Sequence, residues 1–214
     1  MSTIEATQFV EAVSRLKSVR VQKFGAGYEI PYADRATDTF LIVMDGALDE
    51  RWTTENGRYM IARQYSVGDI ISPGRPDLVV WDQISLVATT AGEIAKVDQA
   101  AFWQFMHEQI DRSQYYFSVC EKQLTNLASR LADAQLLPLR VRLRRELLRR
   151  MHENADGSSA KRIYVGSHDE FAVYFGTSRE SISREIAQLR DLGLIKSGRG
   201  HITVKDPEAL QDQA

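Results

Sequence analysis

Between Gly176 and Gly200 the chain reads GTSRESISREIAQLRDLGLIKSGRG, and Arg179, Glu180, Ser183 and Arg184 fall within six residues of it. Each side chain matches a base edge in a duplex major groove. A guanidinium can donate two parallel bonds to guanine O6 and N7, a carboxylate can accept from cytosine N4, and a hydroxyl can do either. An acidic residue would be out of place on a surface that only gripped phosphate. The alternative chemistry is an exposed helix on which Glu180 forms an ion pair with Arg179 or Arg184. On a helix, Ile182, Ile186, Leu189 and Leu192 share the inner face, so the four polar side chains project from the other side of its first turns.

The neighbouring sequence supplies the parts that would position them. Ser178 reads as the N-cap of this helix and Gly193 as its end, while Gly176 permits a tight turn before it. Upstream, SHDEFAVYF reads as a short helix capped by Ser167, with Phe171, Ala172 and Phe175 inward. Before it, PLRVRLRRELLRRMHE places Leu139, Leu143, Leu147 and Met151 on one face, then ADGSSAK is a polar loop and RIYVG a short strand. LIKSGRGHITV gives two strands around a glycine turn. Helix, turn, capped second helix and β-wing make a winged helix-turn-helix. Ser167, His168 and Ser178 at the helix starts, with Arg199 and His201 at the wing turn, are the candidate phosphate contacts.

Charge points the same way. The chain has 214 residues, is 43% hydrophobic and 26% charged, and carries a net charge of −2. Met1–Leu137 carries −5, Pro138–Gly200 +5 and the remaining tail −2. A basic excess confined to one third is the footprint of a nucleic-acid-binding module, although a solvated helix face would show it too. The length leans towards two domains. A single cysteine, Cys120, excludes an intrachain disulfide framework and a cysteine-built zinc or iron-sulfur site. MSTIEATQFVEAVSRLK lacks a signal-peptide core, and no apolar run is long enough for a membrane span, so a cytoplasmic location and no membrane partner are expected.

Up to about Val97 the sequence reads as short strands: YEIPYAD, TFLIVMDG, ALDERWTTENGRYMIARQY with a turn at Asn56-Gly57, SVGDIIS, and VVWDQISLVATTAGEIAKV. This spacing argues for an antiparallel barrel or roll. From Asp98 the pattern turns helical. Trp103, Met106, Ile110, Ser113, Phe117, Cys120, Leu124, Leu127, Leu131 and Ala134 recur in steps of three and four, with Ser113 the one clearly polar member. A narrow seam with charged flanks suits pairing with a second copy, through Ile110, Phe117, Cys120, Leu124, Leu127 and Leu131. The competing reading packs this helix only on its own roll. Pro138 ends or kinks it.

TSRESISREIAQLRDLGLI resembles the recognition-helix signature of the CRP/FNR family of bacterial transcription regulators, and Glu180-x-x-Ser183-Arg184 is similar to the pattern of its FNR-like branch. MDGAL, SVGDII and AGEIAKV resemble its β-roll. The resemblance implies an α+β chain: a cyclic-nucleotide-binding-type roll (double-stranded β-helix) over 1–108, a dimerisation helix and hinge over 109–137, and a winged helix-turn-helix over 138–214. It also implies a homodimer on palindromic double-stranded DNA, Arg179, Glu180 and Arg184 as base readers, and RNA polymerase as a partner.

Where family members that bind cyclic AMP carry Gly-Glu-Leu and an Arg-Ser/Ala pair, this chain has Ser72-Pro73-Gly74 and Asp82-Gln83, which argues against a cyclic nucleotide. On the family's pocket, Trp52, Ala62 and Tyr65 would face Leu124, Leu127 and Ala128, a lining suited to a small, partly apolar effector. The same aromatics could instead be core, leaving a regulator without an effector. Haem-based sensing is a further alternative, but it would need axial ligands and His107, His152, His168 and His201 all lie outside the roll, so the expectation is no cofactor and no metal. A cupin-like metal enzyme, the alternative class, needs a His-x-His pair, and no histidine precedes His107. No phosphate loop or catalytic triad appears, so no enzyme activity is expected.

Overall fold

The computed structural model describes residues 4–31, 37–55, 59–73, 83–153, 162–165, 167–198 and 200–212. Two compact units divide it, Met1–Leu127 and Ala128–Ala214, with the division falling inside one long helix.

In the first unit, strands β1 (Arg20–Phe24), β2 (Glu29–Pro31), β3 (Thr39–Asp45), β4 (Leu48–Thr53), β5 (Tyr59–Tyr65), β6 (Ile70–Ile71), β7 (Gln83–Ala88) and β8 (Gly92–Asp98) form two antiparallel four-stranded sheets. Their orders are β1-β8-β3-β6 and β2-β7-β4-β5. This is the expected roll. Strand period 2 sorts its side chains: Leu41 and Val43 of β3 join Leu48, Tyr65, Leu86, Ala88 and Ile94 between the sheets. Phe40 and Ile42, pointing the other way, join Ala95 and Val97 under the helices α1 (Ala6–Ser14) and α2 (Gln99–His107) and the start of α3 (Ile110–Leu136). There Phe40 stacks on Phe102 at 3.8 Å, and Phe9 on Tyr115 at 4.4 Å.

The helical repeat is broken where its spacing runs on smoothly. α2 ends at His107 and α3 begins at Ile110, so Trp103 and Met106 belong to a separate helix, with Met106 buried in the core. Side chains of α3's first turn hold the junction. Arg112 Nη1 donates to the carbonyl of Phe105 at 2.9 Å, and Ser113 Oγ donates to that of Met106 at 2.9 Å. These are carbonyls that the end of α2 leaves without an intrahelical donor. Ser113, the polar member of the repeat, thus caps the preceding helix. Farther along, Tyr115 and Val119 are the buried side chains of α3. The Tyr115 hydroxyl donates to the Gly68 carbonyl at 3.0 Å, and a Cβ at Gly68, whose φ is +88°, would collide with that hydroxyl.

Ile110, Phe117, Leu124 and Leu131 are 59–69% exposed and Leu127 is 41% exposed, so the seam faces away from this core. Cys120 is half-buried.

The second unit contains α4 (Leu139–Glu153), β9 (Arg162–Tyr164), α5 (His168–Phe175), α6 (Arg179–Asp191), β10 (Ile195–Gly198), β11 (His201–Val204) and α7 (Pro207–Asp212). Its core holds Leu143, Leu147, Phe171, Ala172, Phe175, Ile182, Ile186, Leu189 and Ile202, with Leu139 and Met151 at its margin. Leu192, expected on the inner face of α6, is 59% exposed. It is the C-cap residue, still in the right-handed helical region at the edge of the buried face, and the helix ends at Gly193, whose φ is +75°. Helix α7, which the sequence reading left unassigned, closes the core with Leu210.

Ionic contacts brace the start of this unit across Pro138. Asp133 of α3 pairs with Arg145 of α4 at 3.0 Å, and the guanidiniums of Arg130 and Arg150 lie 4.5 and 5.0 Å from the centre of the Tyr174 ring. Buried Glu146 accepts from Arg149 and from Arg150. Burial pushes its pKa up, but these two arginines outweigh that and hold the carboxyl below the usual range.

Candidate nucleic-acid interface

Helix α5 starts with a capping box. Ser167 Oγ accepts from the Glu170 amide at 3.2 Å, and Glu170 Oε2 accepts from the Ser167 amide at 2.8 Å and from its hydroxyl at 3.1 Å. The hydroxyl of Ser167, expected at a phosphate, is therefore also the structural cap. The Ser-x-x-Glu spacing makes this legible in sequence, although Glu170 was not singled out. Such a cap contributes about 1 kcal/mol.

The turn between α5 and α6 is a Schellman motif. Gly176 sits at φ 63°, its amide and that of Thr177 return to the carbonyls of Val173 and Ala172, and Arg142 of α4 donates to the Phe175 carbonyl at 3.1 Å. Only a residue tolerant of the left-handed region fits there. Ser178 then caps α6, accepting from the Ser181 amide at 3.2 Å.

With Ile182, Ile186 and Leu189 buried, Glu180 and Arg184 are exposed on the opposite side of α6, Arg179 is exposed at its first turn, and Ser183 is half-buried at the edge facing α5. Glu180 stands at the positive end of the helix. A backbone amide bond, then Ser178 and Arg179, hold its carboxyl below the usual range, so it is an acceptor at neutral pH. Two contacts that the sequence reading did not anticipate run from α5. His168 Nδ1 lies 2.9 Å from Ser183 Oγ, and Asp169 pairs with Arg179 at 3.5 Å. His201 is half-buried at the start of β11, where the wing turns through Gly200 at φ 72°. Arg199, the other wing residue, lies outside the described residues.

In the roll, the candidate effector residues meet on a carboxylate. Glu50, itself buried, accepts from Trp52 Nε1 at 2.9 Å and from the Tyr65 hydroxyl at 3.0 Å. Burial, followed by the Glu50 charge, pushes the Tyr65 pKa well up. Ala62 is buried as well, whereas Leu124, Leu127 and Ala128 are exposed on α3. Glu50 was missed because its in-strand neighbours read as a polar run. Asn56, Gly57, Arg75, Trp81 and Asp82 lie outside the described residues. Among the described residues no cluster of His, Cys, Asp and Glu has a metal-binding arrangement, and no helix is long and apolar enough to cross a membrane.

A capped second helix with an exposed polar face, set on a first helix by a glycine turn and followed by a β-wing, defines the winged helix-turn-helix class. Residues 141–213 match the family model of the Crp-like helix-turn-helix domain. The chain as a whole has the fold of CRP/FNR regulators. It is similar to FixK2 from Bradyrhizobium japonicum, at 16% identity and a TM-score of 0.74, over 91% of this chain and 96% of that one. It is also similar to a CooA double mutant from Carboxydothermus hydrogenoformans, at 15% identity and a TM-score of 0.75, over 92% and 88%. CprK complexed with OCPA aligns at 14% identity and a TM-score of 0.70, over 98% and 94%. No curated protein matches by sequence.

Proposed function

We propose that this protein is a homodimeric, sequence-specific DNA-binding transcription regulator of the CRP/FNR type. In this reading residues 1–108 sense, 109–137 pair two copies and 138–214 read DNA. The observation that carries it is the exposed N-terminal half of α6, where Arg179, Glu180 and Arg184 are all exposed while Ile182, Ile186 and Leu189 are buried. Ser178 at the start of α6 and His201 on the wing flank that face and serve the backbone grip, together with Arg199.

The effector is a small, partly apolar molecule other than a cyclic nucleotide, received by Trp52, Ala62 and Tyr65 of the roll and the Leu124–Leu127 stretch of α3. Supporting this are the buried acidic Glu50 between Trp52 and Tyr65, which repels a phosphate, and the ligand-complexed state of the structurally similar CprK. RNA polymerase is the expected further partner.

The test is selection from a randomised duplex library with the full-length protein. Two inverted half-sites centred about one helical turn, 10–10.5 base pairs, apart are expected. Enrichment of a single unrepeated site, or of none, would overturn the reading.

A further inference from the structure

Two side chains in the first turns of α6 are held from α5. Arg179 Nη1 lies 3.5 Å from Asp169 Oδ2, and Ser183 Oγ lies 2.9 Å from His168 Nδ1. His168 and Asp169 are consecutive residues at the very start of α5. We propose that they are specificity-determining positioning residues, Asp169 aiming Arg179 and His168 setting the hydrogen-bonding sense of Ser183; the proposal rests on α6 being the base-reading helix.

An arginine at the first turn of a groove-reading helix has two competing partners, a base edge and the nearest phosphate. Asp169 biases that competition. Its carboxylate engages one side of the guanidinium, leaving the remaining N–H donors in their fixed planar fork for a base. The same carboxylate repels phosphates, so it lowers affinity for DNA of any sequence and is useful there only if it improves selectivity. Asp169 and Arg179 are 66% and 63% exposed, which makes the pair weak in the free protein. Docking on DNA removes water from both and strengthens it. The first turn of α5 also favours an acidic residue, so Asp169 is tolerated locally.

His168 acts differently. A neutral imidazole has one donor and one acceptor nitrogen. When Nδ1 accepts, Ser183 gives its proton to His168 and presents only lone pairs to a base. When Nδ1 donates, the serine hydroxyl proton is free for a base acceptor. Both side chains are half-buried, which keeps this contact in place between the helices. The tautomer of His168 thus decides which kind of base edge Ser183 reads.

The experiment uses full-length wild type, Asp169→Asn, His168→Ala and His168→Asn. Each is taken through selection from a randomised duplex library, followed by affinities for the selected site and its single-base mismatches across a salt series. Asp169→Asn is expected to bind all duplexes more tightly while its discrimination at one base position of each half-site falls about tenfold. His168→Ala is expected to relax a different position, and His168→Asn, whose amide can still bond Ser183, to retain it. Mismatch penalties unchanged in Asp169→Asn would reduce Asp169 to a general electrostatic role and overturn its part. A uniform loss in His168→Ala, with the salt slope lowered by about one, would make His168 a phosphate contact and overturn its part. A clear wild-type motif with unaltered variants sinks the positioning role alone, whereas a wild type that enriches no motif removes the base-reading assignment of α6 and this proposal with it.

Discussion

At the scale of single residues, most of the face of α6 proposed to read bases was legible from helical spacing. Ile182, Ile186 and Leu189 must share one side, Glu180 and Arg184 are left on the other, and Arg179 is exposed because it is the first residue of the helix. The partners of those residues were not legible. Asp169 meets Arg179, and His168 meets Ser183, through the crossing of two helices, which no spacing within one helix reports. Glu50 was hidden in the polar run of its own strand, and one of its two partners, Tyr65, reaches it from β5. Arg184 gives the sharpest residue-scale prediction, since it stands exposed in the second turn of α6. Arg184→Ala is expected to cost roughly 1–3 kcal/mol on the selected site and to relax preference at one position per half-site. Affinities for all single-base variants of the site check this, and uniform weakening with intact preferences would reassign Arg184 to the phosphate backbone.

At the scale of elements, strands rich in Val and Ile between turn signals declared themselves, whereas β1 did not, because RVQKF keeps three of its five side chains exposed and reads as polar. Neither proline nor glycine marks the α2–α3 break, and the apolar spacing runs on through it. The carbonyls of Phe105 and Met106 that the break frees are capped by Arg112 and Ser113, seven residues on. One turn farther on, Tyr115 fastens α3 to the turn at Gly68. Burial, and then the nearby Asp69 charge, raise its pKa from 10.0 to about 12. The folded state therefore favours the neutral phenol. That contribution is fully present below pH 10, the ordinary value, and is lost as the pH rises through about 12. Tyr115→Phe is expected to lose about 1 kcal/mol at neutral pH through the missing hydrogen bond. It should also lose less further stability than wild type between pH 10 and 12, as read by urea denaturation. Parallel stability curves over that range would show that Tyr115 does not titrate with unfolding.

At the scale of the whole molecule, the question is what covers the α3 seam. Leu124 and Phe117 are 67% and 69% exposed, while Tyr115 and Val119 on another face of the same helix are 7% and 6% exposed. An apolar stripe of this length repeating by threes and fours, left uncovered by its own chain, matches the pattern by which two helices pair about a two-fold axis. A palindromic operator requires the same symmetry, because each half-site must meet an identical reading helix. Leu124→Glu would set two like charges against each other in an apolar contact at that axis. The variant is expected to sediment as a monomer. It should also bind the selected palindrome no better than wild type binds an isolated half-site, since only one reading helix then engages per molecule. Its fold should survive, because Leu124 contributes little to the core of its own chain. Far-ultraviolet circular dichroism identical to wild type would establish that, and an intact dimer on sedimentation would move the interface off α3.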